Sequence, residues 1–252
     1  MRLMASALIA ASVLAGALAA STAQAPPALD PLPDFSEHRL RLWDWNAAFA
    51  PSEWSEPKLG GYAWRADHAV IREGELVLSV SERASGQVQA GAQASRLNAL
   101  WEVDVTLPNM REGLVAAPLW TFNAKTNDEI DFEVVGLSGL QLTLWSSVEG
   151  RHTAVWSQTV LRGDLSGRRL RLGIAYEAGE RVRFFVNGYL AADVTPADTP
   201  LGFPSTPQKP YFDLWVANGL HPDWAGAWTP LPRGVSLEMI LHGYRVGAVP
   251  AP

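Results

Sequence analysis

From Glu129 to Val134 the chain reads Glu-Ile-Asp-Phe-Glu-Val, acidic and apolar side chains in alternation. That is the period of a β-strand, so Glu129, Asp131 and Glu133 share one face and Ile130, Phe132 and Val134 the other. The apolar face can join a core. A row of like charges adds nothing to sheet stability, so the acidic face is either a solvated outer wall or a site. Strand rise places the Cα atoms of Glu129 and Glu133 roughly 13 Å apart. Two long side chains leaning together on a concave sheet can close most of that gap, toward the separation of about 5–5.5 Å at which a nucleophile and an acid/base cleave a glycosidic bond with retention. The shorter Asp131, between and beneath them, can share a proton with either neighbour and hold their pKa values apart.

Other chemistries lack their residues. No H-E-x-x-H, G-x-S-x-G, P-loop or G-x-G-x-x-G occurs. The five histidines (38, 68, 152, 221 and 242) have no ligand spacing and read as surface or supporting residues. No metal site and no cofactor is expected, except that Asp128 and Asp223 could contribute to a structural Ca²⁺, although no D-x-[DN]-x-[DN]-G loop is present. A net charge of −6 without a long basic run argues against a nucleic-acid partner.

The elements that must hold the acids are strands. The 252 residues, 48% hydrophobic, suffice for one substantial core. Strands are predicted over 62–66, 69–72, 75–81, 99–107, 113–122, 140–147, 152–160, 169–176, 181–186, 189–193, 211–216 and 235–246. Glu73-Gly74, Glu149-Gly150 and Asn187-Gly188 serve as tight turns. Residues 195–210, with five prolines, read as a loop, and no amphipathic helix is evident. About a dozen antiparallel strands without helices imply two stacked sheets, a sandwich or jelly roll.

Residues 1–25 have the form of a secretory signal: Arg2, an Ala/Leu/Val-rich stretch, and small residues at 17–19 or 21–23 for cleavage. A Pro-rich lead-in (26–36) and a single catalytic domain (37–248) follow. The mature protein is expected to be secreted or periplasmic, free of the membrane after signal cleavage, and monomeric. Without cysteine it has no disulfide, so packing alone must stabilise it.

With the strand pattern, Asp128–Gly136 resembles the catalytic segment of glycoside hydrolase family 16, in the form without the inserted bulge residue. Two further blocks agree: Tyr62-Ala63-Trp64-Arg65-Ala66 leading to Gly74-Glu75-Leu76-Val77-Leu78, and Phe203–Pro207 followed by Asp213-Leu214-Trp215 and Asp223-Trp224-Ala225-Gly226. The likeness spans roughly residues 40–246 and is nearest to bacterial lichenases and exopolysaccharide-cleaving relatives. It implies a concave, concanavalin-like β-jelly roll in which Glu129 is the nucleophile, Asp131 its electrostatic partner and Glu133 the acid/base. It further places Trp215, Asp213, Trp120, Trp145, Asn127 and Trp224 at the substrate, with core packing the alternative for Trp120, Trp145 and Trp224. Trp64 and Trp101 read as core or supporting residues. Trp43, Trp45, Trp54, Trp156 and Trp228 are unassigned.

The departures bear on substrate. Asn127 stands where lichenases carry a cleft Trp, Asp213 where they carry Asn, and Ala92–Arg96 lacks the acid and Tyr of their corresponding strand. The implied activity is endo-acting, retaining hydrolysis of a β-1,3/1,4-linked glucan or a glucose-containing exopolysaccharide. A transglycosylase on the same scaffold and a non-catalytic carbohydrate-binding sandwich are the alternatives.

Overall fold

The computed structural model describes residues 49–55, 61–217 and 222–249. The signal-like segment, the lead-in, Trp43, Trp45, His38 and His221 lie outside them. Sixteen strands are formed among the described residues. They are β1 (Phe49–Pro51), β2 (Trp54–Ser55), β3 (Ala63–Trp64), β4 (Ala69–Arg72), β5 (Glu75–Val80), β6 (Ala84–Ala90), β7 (Asn98–Thr106) and β8 (Leu114–Asn123). The others are β9 (Asp128–Val135), β10 (Gly139–Val148), β11 (Arg151–Arg162), β12 (Arg169–Glu177), β13 (Arg181–Val186), β14 (Tyr189–Val194), β15 (Lys209–Val216) and β16 (Leu237–Gly247).

One sheet runs β11-β10-β9-β8-β15-β6-β3-β2, with β1 also on β6; the other runs β14-β13-β12-β7-β16-β5-β4. All pairings are antiparallel except a short parallel contact between β3 and β6. This is the predicted jelly-roll sandwich. Its core lies between the sheets, where Phe132 meets Phe184 edge-on at 5.2 Å and Trp101, Leu119, Ile130 and Leu214 are fully buried. The three two-residue turns are as expected: both residues of Glu73-Gly74, Glu149-Gly150 and Asn187-Gly188 have positive φ, matching the twist of the strands they join.

Several local expectations are corrected. The strand expected over 62–66 is only Ala63–Trp64, because Ala66–His68 turns as a 3₁₀ segment. Ala92–Ala94 is likewise a 3₁₀ turn, followed by a lone bridge from Arg96 to Gln208. Three strands were not foreseen: β1, β2 and the central β6. Pro222–Ala225 forms one short helix.

The loop from 195 to 208 is tied down by Asp128 at the start of β9. One carboxylate oxygen of Asp128 accepts from the Ser205 and Thr206 backbone N–H groups and the Thr206 hydroxyl, the other from Ser146 Oγ. Both oxygens are thus spent on N–H and O–H donors, and a Ca²⁺ shared between Asp128 and Asp223 is not built.

Candidate active site

Strand β9 is central in its sheet, between β8 and β10. Burying Ile130, Phe132 and Val134 between the sheets fixes its register and turns Glu129, Asp131 and Glu133 to the opposite face. Across β10 their partners are Trp145, Thr143 and Gln141; across β8, Phe122 faces Glu129 and Trp120 faces Asp131. Beyond β8, strand β15 places Tyr211, Asp213 and Trp215 on the same face, and β6 sets Gln87 opposite Asp213.

Among the described residues, two cavities open on this face, one on each side of the acid row. One, of about 190 Å³, reaches toward β15, β6, β3 and β2 and is lined by Trp54, Trp64, Gln87, Trp120 and Asp213. The other, of about 380 Å³, lies over β10 and β11 and is lined by Gln141, Thr143, Trp145, Ser157 and Trp224. Both share Glu129, Asp131, Glu133 and Trp215. Together they form a trough across the strands with the acids at its middle.

Among the described residues no Lys or Arg lines either cavity, and the electrostatics of the row follow from burial. Trp145 Nε1 donates to Asp131 Oδ2 at 2.6 Å, while Asp131 Oδ1 meets no donor from the rest of the described protein. Burial, then the charges of Glu129 and Glu133, push Asp131 well above the ordinary carboxyl range. Asp131 therefore keeps its proton and shares it with Glu129. That hydrogen bond favours ionised Glu129, against a burial cost and the charge of Asp213, which together push Glu129 up to about 8. Glu133 is also pushed up to about 8, by burial and then by the charges of Glu129 and Asp213. Asp213 is raised to about 7 by burial, tempered by Gln87, whose Nε2 donates to its Oδ2 at 2.7 Å. His152 Nε2 lies 3.7 Å from Glu129 Oε2, its ring stacked on Trp145, and burial lowers its pKa so that it faces the acids as a neutral ring. Burial thus raises all four carboxyls of the trough, and the Asp131 hydrogen bond favours the ionised form of Glu129, so that one acid of the row can ionise beside protonated neighbours. That is the pairing acid/base chemistry at an acetal requires.

Of the residues singled out from sequence, the structure brings Glu129, Asp131, Glu133, Trp120, Trp145, Asp213, Trp215 and Trp224 to the trough. Trp224 is held there by a 2.8 Å hydrogen bond from its Nε1 to Gln141 Oε1. Asn127 is not brought to it. It sits with φ of 61° in the turn before β9, its N–H bonded to Asn123 O, and lines neither cavity. Trp64, read as core or support, is buried yet lines the smaller cavity, its ring stacked at 4.3 Å on the half-exposed Trp54. Trp101 is core, Trp156 packs on Phe184, and Trp228 donates to Tyr62.

Gln87, Trp54 and His152 were missed. Gln87 had a readable signal, since Ser85, Gln87 and Gln89 alternate with Gly86, Val88 and Ala90. The apolar side of that alternation is too small to stand out. Gly86 is required because a Cβ there would lie 2.1 Å from His68 O, a close backbone approach.

A family model for glycosyl hydrolases family 16 matches residues 61–229. No curated protein matches the chain. Among solved structures, a β-1,3-1,4-glucanase (lichenase) derived from a mouse hindgut metagenome superposes with a TM-score of 0.66 at 18% identity, over 84% of this chain and 97% of that one. The β-glucanase of Bacillus licheniformis gives 0.66 at 18% identity, over 82% and 95%. The catalytic domain of an endo-1,3-β-glucanase (laminarinase) from Thermotoga petrophila gives 0.64 at 16% identity, over 84% and 94%. At these identities the likeness speaks for the fold.

Proposed function

This chain belongs to family 16 of the glycosyl hydrolases, and we propose that it is a secreted, endo-acting, retaining β-glycanase that cuts a β-1,3/1,4-linked glucan or a glucose-containing exopolysaccharide. The observation that carries the reading is the acid row at the middle of a trough with a cavity on each side. A polymer lying across the strands has rings bound on both flanks of the scissile bond, which is the requirement for cutting within a chain.

In the first half-reaction a Glu129 oxygen attacks the anomeric carbon. The bond from that carbon to the leaving oxygen breaks as Glu133 gives that oxygen its proton. In the second, Glu133 takes a proton from water, the water oxygen bonds to the same carbon, and Glu129 departs as carboxylate with the sugar configuration retained. Asp131 stays protonated throughout, donates to Glu129, and is aimed by Trp145. Asp213, Trp120, Trp215, Trp145 and Trp224 contact the sugars, the tryptophans offering flat apolar faces with a polar edge.

The test is a panel of lichenan, laminarin, xyloglucan, agarose and an acidic exopolysaccharide, with products sized by mass and the anomer first released read by NMR. Internal cuts releasing the β-anomer are expected. Glu129→Gln should abolish cleavage while sparing the fold and polysaccharide affinity. An α-anomer as first product, or a variant cutting as fast as the parent, refutes the mechanism. Export is supported by the pattern of residues 1–25, and the amino-terminal sequence of the mature protein tests it.

A further inference from the structure

The Glu149-Gly150 turn sets His152 opposite Ser147 and Ala154 opposite Trp145. His152 is thus two residues from Ala154, on the face of β11 that walls the larger cavity. Its ring stacks on the Trp145 indole at 4.7 Å, with the Phe122 ring of β8 at 6.2 Å. Its Nε2 lies 3.7 Å from Glu129 Oε2, a small rotation of the carboxyl short of a hydrogen bond, and such contacts tighten when substrate fills a site. Among the described residues His152 forms no other ion pair. Glu129 faces it from β9, the uncharged Trp145 and Ser147 from β10 and Phe122 from β8, while Arg151 on its own strand alternates to the opposite side.

Glu129 has to be ionised to attack, and its surroundings oppose that. Burial pushes it up to about 8, and its acidic neighbours Asp131, Glu133 and Asp213 are raised as well, so none of them is a base for its proton. No Lys or Arg lines either cavity among the described residues. The imidazole is the base within reach. Its side chain is 37% exposed against 16% for Glu129, so it also connects the carboxyl to solvent at the rim of the trough.

We propose that His152 is the positioning residue that takes the proton from Glu129 and then holds its carboxylate ionised. The inference rests on the reading of Glu129 as the nucleophile of a glycanase. The O–H bond of Glu129 breaks as an N–H bond forms at His152 Nε2, and the imidazolium gives its Nδ1 proton to water. One proton has then passed to solvent, and the neutral ring is left with its Nε2–H aimed at Glu129. Asp131 and His152 both donate to the nucleophile in that state. Burial disfavours a lasting imidazolium, which would tie Glu129 into an ion pair and blunt its attack. Trp145 serves both donors, with its N–H on Asp131 and its face against His152.

The experiment compares His152→Phe, which keeps a ring against Trp145 without either nitrogen, and His152→Gln, which can return an N–H to the place of Nε2. The Glu129 carboxyl is titrated by carbon-13 NMR in glutamate-labelled protein, its resonance identified by its loss in Glu129→Gln. Its midpoint should rise by about one pH unit in His152→Phe and return most of the way in His152→Gln. On lichenan, the acid limb of kcat/KM for His152→Phe should move up by the same interval. The loss is then about tenfold on the acid side and shrinks toward the basic limb, with KM little changed. An unchanged Glu129 midpoint in His152→Phe overturns the proposal, as does a loss of equal size at every pH, the mark of a packing role. A shifted midpoint in a protein that cuts no polysaccharide leaves His152 coupled to Glu129 and overturns only the catalytic reading.

Discussion

Glu133→Gln tests the origin of the proton-holding row through stability as well as activity. A carboxyl whose pKa stands near 4.5 in the unfolded chain and near 8 in the fold binds more protons folded than unfolded between those values. Below pH 4.5 both states hold the proton and the group is neutral to stability. As pH rises from 4.5 to 8, the unfolded chain ionises freely while the fold must keep the proton or bury a charge, so stability falls, and above 8 the loss is complete. Acting alone, Glu133 would cost the fold about 4–5 kcal/mol at pH 9. Glu133 keeps partial exposure to the trough, and solvent there screens much of that cost. A net gain of about 2 kcal/mol is expected, or roughly 4–8 °C in Tm for a domain of this size. Glutamine cannot ionise, so the variant should be inactive, should match the wild type in Tm at pH 4, and should exceed it progressively up to pH 9. Thermal melts by circular dichroism across that range supply the measurement. A Tm difference that stays flat with pH would refute the assignment of Glu133 as a carboxyl protonated by its surroundings, whatever happens to the activity.

Two further outcomes follow from the same geometry. Trp145→Phe keeps the ring but removes the N–H that Asp131 accepts. Asp131 then holds its proton more tightly, Glu129 loses its alignment, and kcat should fall by about tenfold or more while KM changes little; a proportionate rise in KM with kcat intact would show that the indole serves binding alone. Asp128→Ala strips the 195–208 loop of three donors' common acceptor and leaves them buried, at about 3 kcal/mol. A lowered Tm and faster proteolytic nicking within that loop are expected, and nicking elsewhere at the wild-type rate would confirm that the damage is local.

The site was more legible than the frame around it. An acid row on one face of an apolar strand announces itself because the two faces differ by charge, and register then follows from burying Ile130, Phe132 and Val134. Long strands with Leu, Ile and Val on the inner face, such as Asn98–Thr106 and Gly139–Val148, were found within a residue or two. Strand β6 was not, because Gly86 must be bare to pass His68 and its inner face has only Val88 of any bulk. Strands β1 and β2 are two or three residues long and exist by pairing with β6 and β3, a tertiary condition no local pattern carries.

Asn127 and Trp54 show where position in a motif ceases to predict position in space. Asn127 adjoins the acid strand in sequence, yet its positive φ belongs to the turn that delivers β9 and leaves its side chain outside both cavities. Trp54 is seventy-five residues from Glu129, yet β2 lies at the far end of the same sheet and its indole reaches the trough, held against Trp64 and hydrogen-bonded to Gln87. The chemistry of the acids is therefore written along one strand. The wall beside them is assembled across the sheet, from Trp54 through Gln87 and Asp213 to the acid row.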